Sequence, residues 1–217
     1  MTPLSHEQFL LLRDKADVLE ADHHGEKVLR LADGNMLKLF RRKRWLSSAA
    51  LYPYAQRFAD NTRALERRSI LCPKILNVFR IAQIQRDVVH YAPLPGITLR
   101  QIDDEPTRSN LRPLIGEFIA QLHAKGVFFR SLHLGNIVLT PEGQLGLIDI
   151  ADLRAQRSAL GKFKRMRNFQ HVLRDPRDQE WLLVDKGQVF FESYLRHAQL
   201  SWSLNDLIRQ ATKDLAQ

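Results

Sequence analysis

Apolar residues recur at Leu111, Leu114, Ile115, Phe118, Ile119 and Leu122, spaced as i, i+3, i+4, i+7, i+8 and i+11. That spacing lines one face of a helix and predicts one over residues 110–125. Pro113 falls in its expected first turn, where proline is tolerated, and Gly126 ends it. A helix is also predicted from Ser5, where Ser5 and Gln8 have the spacing of a capping box and Phe9, Leu10 and Leu12 face inward. Another runs from about Pro53 to Ser69, with proline suited to the first position. A last one opens at Ser203 and Asp206, with Leu204, Leu207, Ile208, Ala211 and Leu215 on one face.

Between these helices the pattern shortens to β-prone runs. Val18-Leu19, Val28 to Leu31 and Met36 to Phe40 are separated by His23 to Glu26 and by Ala32 to Asn35. Asp33-Gly34 is a strong hairpin signal, so three antiparallel strands are expected here. Ile75 to Ile84 and Asp87 to Tyr91 add two more strands around Gln85-Arg86. A further short hairpin pairs Ile137-Val138-Leu139 with Leu145, Leu147 and Ile148 across Pro141-Glu142-Gly143. It carries Asn136 at its entrance and Asp149 at its exit. Two hard oxygen donors on one short hairpin suit a Mg-nucleotide site, where phosphate and water complete the coordination.

Charge narrows the picture. The 217 residues can bury a substantial core, and the formal charge of +9 implies an anionic partner. Arg154 to Arg174 holds seven Lys and Arg and no acid. Arg41 to Arg44, followed by Trp45-Leu46, is either a phosphate- or lipid-facing patch or a solvated loop. A nucleic-acid partner ranks last, because no aromatic-interleaved basic platform and no zinc pattern accompanies the charge. The single Cys72 excludes an intrachain disulfide framework and fits a reducing compartment. Thr2, Pro3 and Ser5 do not begin a signal peptide, and no apolar run reaches the roughly 18 residues of a membrane span. The expected location is cytoplasmic, with peripheral contact at the inner face of an anionic membrane.

The run Phe129-Arg130-Ser131-Leu132-His133-Leu134-Gly135-Asn136 resembles the catalytic loop H-R-D-x-x-x-x-N of the protein-kinase-like superfamily. Asp149-Ile150-Ala151 follows where that superfamily has D-F-G, thirteen positions after Asn136. His133 to Asn136 also resembles the H-P-G-N loop of small-molecule kinases. The resemblance implies an α+β, two-lobed protein-kinase-like fold, with an N-lobe over 1–91 and a reduced, mostly helical C-lobe over 92–217. It implies ATP and Mg²⁺ as cofactors, with Asn136 and Asp149 as metal ligands. Lys38 becomes the phosphate-pairing lysine and Glu66 its helix partner, although a solvated strand lysine reads the same in isolation. Tyr91 and Ala92 fall at the interlobe hinge, where an ordinary Pro-stiffened linker would look alike. Arg130 braces the loop.

The sequence departs from the pattern at Ser131, which stands where the superfamily has its catalytic Asp. His133, two residues on, is the alternative proton acceptor. Small size, a first turn with one glycine (Gly25) and the basic stretch after Asp149 are similar to bacterial lipopolysaccharide core kinases, which act on heptose or Kdo. Two readings stay open. One is a phosphotransferase acting on an anionic glycolipid or core oligosaccharide. The other is a pseudokinase scaffold that binds nucleotide or a partner without transfer.

Overall fold

The computed structural model describes residues 1–42, 52–213 and 215, so Lys43 to Leu46 of the first basic run lie outside the described residues. Two compact units emerge. One comprises Met1–Leu94 with Asp149–Asp152, and the other Pro95–Ile148 with Leu153–Gln217. Four residues after the 137–147 hairpin therefore group with the first unit.

The first unit contains β1 (Thr2–Pro3), α1 (His6–Arg13), β2 (Asp17–Asp22), β3 (Gly25–Arg30), β4 (Met36–Arg41), α2 (Tyr54–Glu66), β5 (Lys74–Ile81) and β6 (Arg86–Ala92). They form a six-stranded sheet in the order β1-β5-β6-β4-β3-β2. Every neighbouring pair is antiparallel except β1 with β5. The Asp33-Gly34 turn forms as expected, with Gly34 at φ 82°.

Strand alternation sorts β4 onto two faces. Leu37 and Leu39 join Phe9, Leu29, Leu31, Ile81 and Val88 in one buried cluster. Lys38 projects from the other face, which α2 covers with Ala55, Phe58, Ala59, Thr62 and Leu65. There Phe58 packs on the Tyr91 ring with centroids 5.3 Å apart, and Phe40 stacks on Tyr54. The Ser5–Gln8 capping box is present and Phe9 is buried. Leu10, expected to face inward, is exposed instead. An eight-residue helix laid on a sheet buries a narrow stripe, and Phe9 and Leu12 fill it.

The second unit contains β7 (Ile97–Thr98), α3 (Glu105–Ala124), β8 (Val127–Phe129), β9 (Ile137–Leu139), β10 (Leu145–Leu147) and β11 (Leu153–Ala155). These are followed by α4 (Lys162–Val172), α5 (Pro176–Leu182), α6 (Gln188–Ala198) and α7 (Leu204–Thr212). The expected hairpin is β9–β10, with Leu139 opposite Leu145 and Ile137 opposite Leu147. β7 pairs with β9, and β8 with β11.

Helix α3 starts five residues earlier than its apolar stripe suggests. Asp104 accepts the Thr107 N–H at 2.9 Å and caps the helix, and Pro106 occupies the first turn. Pro113 is consequently mid-helix, where it removes one backbone donor. The Ser193 hydroxyl of α6 donates to the Pro113 carbonyl at 2.6 Å. Gly116 permits this close approach, since a Cβ there would sit 2.3 Å from the Phe190 carbonyl oxygen. Leu114, counted with the buried stripe from sequence, is exposed. Among the described residues no helix is long and apolar enough to cross a membrane.

His123, for which sequence favours a surface or capping position, is fully buried. Its Nδ1 lies 3.0 Å from the Tyr194 hydroxyl and its Nε2 3.3 Å from Asn168 Oδ1. Arg165 donates to the same hydroxyl at 2.8 Å, so the phenol accepts from Arg165 and donates to a neutral imidazole. Burial, and then the Arg165 charge, pull the imidazole down to about 3. An unfolded histidine titrates near 6.5. Below that pH the unfolded chain takes up a proton that the folded chain refuses, so this contribution is complete above about 6.5 and is lost as pH falls toward 3. The expected slope is about 1.4 kcal/mol per pH unit, and His123→Gln should flatten a denaturation series between pH 6 and 4 by about that amount.

Candidate active site

In the first unit the Lys38 ammonium meets the Asp149 carboxylate at 2.5 Å. Lys38 reaches it from mid-strand, where Val28 and Val89 flank it on β3 and β6. Its ammonium also lies 5.8 Å from the Phe40 ring centroid. Asp149 adopts φ 52°, in the left-handed region that few non-glycine residues occupy. Strained backbone of this kind concentrates at functional sites, where the surroundings hold a side chain in an imposed direction. Two features hold it here. Ile150 and Ala151 are buried in the 3₁₀ turn that follows, and Asn61 of α2 donates its side-chain N–H to the Ile150 carbonyl at 2.7 Å.

Tyr91 is buried beside Phe58, and burial together with the nearby Asp149 charge pushes its phenol up to about 12. It belongs to β6, opposite Met36 and Ile75, and Ala92 closes the strand opposite Lys74. Glu66 is not brought to Lys38. It is exposed at the C-terminal end of α2, on a pocket that Gln56, Arg63 and Asn77 also line. It is the last residue of α2, and Lys38 pairs with Asp149 instead.

In the second unit the loop from Arg130 to Asn136 is fixed from beneath. Asn168 accepts from the Phe129 N–H at 3.4 Å and donates to the Phe129 carbonyl at 2.6 Å. Leu132 and Leu134 are fully buried. Asp178, also fully buried, accepts the Leu134 N–H at 2.9 Å and two Arg100 N–H groups, on Nε and Nη2, at 2.8 and 2.9 Å. The Arg100 stem packs against Gly135, where an added Cβ would lie 3.2 Å from it. Arg100 also pairs with Asp175, whose carboxyl is held well below the usual range chiefly by Arg177.

Ser131 and His133 are half-buried on this loop. Arg130 is exposed and forms no hydrogen bond or ion pair among the described residues, so the bracing expected of it comes from Asp178, Arg100 and Asn168. Asn136 is buried, and its side-chain N–H donates to the Ser131 carbonyl at 2.9 Å, leaving Oδ1 as the free acceptor of that amide. Asn136 also accepts the Ile148 N–H at 3.0 Å, which ties the loop to the end of β10.

Each unit offers a hard oxygen donor of the kind Mg²⁺ takes, a half-exposed carboxylate at Asp149 in the first and an amide oxygen at Asn136 in the second. No cluster of three or more His, Cys, Asp or Glu side chains suited to a dedicated metal cage occurs among the described residues.

Sheet, helix order and loop together define the protein-kinase-like fold. An aminoglycoside-3'-phosphotransferase of type VIII has the same fold, with a TM-score of 0.66 over 92% of this chain and 93% of that one, at 14% identity. The bifunctional kinase-methyltransferase WbdD aligns more weakly, with a TM-score of 0.45 at 15% identity over 84% of this chain and 41% of its own. No protein-family profile matches the sequence, and no curated protein matches it.

Sequence reasoning missed Asn61, Arg100, Asn168 and Asp178. The available signals were an asparagine inside each of two helices, where its intrinsic propensity is poor, and an acid three residues into α5.

Proposed function

We propose that this chain is an ATP- and Mg²⁺-dependent phosphotransferase that acts on a sugar hydroxyl of an anionic glycolipid, with the lipopolysaccharide core as acceptor. The observation that carries the reading is the Lys38–Asp149 ion pair, with Asp149 held at positive φ on a kinase-like fold. Lys38 would supply charge to the nucleotide phosphates, and Asp149 and Asn136 are the residues that would hold Mg²⁺, which would supply charge neutralisation there. The acceptor hydroxyl oxygen bonds to the γ-phosphorus as the bond to the β–γ bridging oxygen breaks, and ADP leaves. His133 takes the hydroxyl proton. Ser131 cannot act as base, because its own hydroxyl ionises far above neutral pH. Phosphoryl transfer rests chiefly on positioning and charge neutralisation, so it tolerates the loss of a carboxylate at this position.

Ser131 favours a second reading, a pseudokinase that binds nucleotide without transfer. One comparison separates the two: phosphate transfer to dephosphorylated core oligosaccharide by wild type, Ser131→Asp and His133→Ala. The enzyme reading expects Ser131→Asp to keep or raise turnover, because it restores a carboxylate that orients the hydroxyl. It expects His133→Ala to lower turnover about a hundredfold with little change in ATP affinity. ATP binding by all three without transfer by any would establish the pseudokinase.

A further inference from the structure

Helix α4 presents two different faces. Arg165, Asn168, Phe169 and Val172 are buried, at the i, i+3, i+4 and i+7 spacing. The opposite side carries Phe163, 82% exposed, with Arg167 one turn further along. Lys162 and Lys164 flank the ring on either side and are exposed. Lys164 donates to the Gln156 side chain, which itself donates to the Ser158 and Ala159 carbonyls, so the loop bearing exposed Arg157 is tied to this turn. Lys162 lies 5.4 Å from the centroid of the half-buried Trp202 ring.

From this arrangement we infer that the first turn of α4 and the adjoining loop form a docking surface for an anionic lipid bilayer, with Phe163 as the inserting side chain and Arg157, Lys162, Lys164 and Arg167 on the headgroup phosphates. Two features select this partner. The first turn of α4 has no acid and two lysines, although the positive end of a helix favours acids there. A negatively charged surface relieves that repulsion. A lone phosphate would do so too, yet it would leave Phe163 in water. A bilayer interface takes up the ring and the cations together, and long basic side chains suit that boundary. Nucleic acid is disfavoured because single-strand platforms stack successive bases on several open rings. Here one ring is open, and Lys162 covers the other.

The inference does not depend on phosphoryl transfer, because its test reads no chemistry. The full chain is sedimented with vesicles of phosphatidylcholine alone and with vesicles also containing phosphatidylglycerol, at low and high salt. Binding should require phosphatidylglycerol and weaken about tenfold or more at high salt. Phe163→Ser should weaken it severalfold at every salt concentration, and Arg167→Glu about tenfold at low salt. Lys74→Glu, the same charge change at an exposed position on the first unit, should leave it within about twofold. Equal binding to both vesicle types, wild-type binding by Phe163→Ser, or equal losses from Arg167→Glu and Lys74→Glu would overturn the proposal. So would tighter binding to a DNA duplex than to the anionic vesicles in the same buffer.

Discussion

Asp149→Asn is expected to abolish the Mg²⁺ dependence of ATP binding and to lower affinity in saturating Mg²⁺ by about tenfold to a hundredfold. Asparagine is the informative replacement. It tolerates the positive φ of this position, so it removes the carboxylate charge without adding the backbone strain that alanine would bring. The Asp149 side chain is about half exposed, so its ion pair with Lys38 contributes little to folding, about 1 kcal/mol or less after solvent screening. Thermal stability should therefore change little while binding collapses. Titration calorimetry with and without Mg²⁺ checks this. Unchanged affinity and unchanged metal response in Asp149→Asn would refute its assignment as a metal ligand.

The largest expected stability effect lies at Asp178. Its carboxylate is fully buried and answers three donors, two on Arg100 and one on the Leu134 backbone. Asp178→Ala leaves the guanidinium with Asp175 as its remaining carboxylate and a buried N–H without its acceptor, at a cost of about 2–4 kcal/mol. Replacing both partners with apolar groups, Arg100→Met with Asp178→Leu, removes the partly compensated charge and should cost less than Asp178→Ala alone. Urea denaturation midpoints for the two variants test the ordering. Equal losses would mean that Asp178 acts by packing. Because Asp178 also anchors the Leu134 amide, Asp178→Ala should reduce turnover beyond what its lower folded fraction explains.

The residues legible in the sequence were those whose partners lie on the same local pattern. Leu37 and Leu39 mark a strand by alternation and leave Lys38 on the opposite face; Ile137 to Leu139 and Leu145 to Leu147 mark the hairpin that Asp149 follows. Ser5 and Gln8 cap each other within one helical turn. The illegible part joins residues far apart in the chain. Arg100 and Asp178 are 78 positions apart, and His123 and Tyr194 71, and no periodicity links them. His123 illustrates the point. Its helix places it at the end of the apolar stripe, but a buried site depends on Tyr194, Asn168 and Arg165 supplying its hydrogen-bonding environment from two other helices. Glu66 is the only Glu between Lys38 and Ile70, but it sits exposed at the C-terminal end of α2, while Lys38 pairs with Asp149, an acid 111 positions away that no local pattern links to it.

The most direct measurement of the central claim is the mass of a dephosphorylated lipopolysaccharide core oligosaccharide after incubation with the wild-type chain, ATP and Mg²⁺. A phosphotransferase adds one phosphate to the acceptor and releases ADP in equal amount, and both changes disappear when Mg²⁺ is chelated. An acceptor of unchanged mass, with ATP bound but not consumed, would contradict the account.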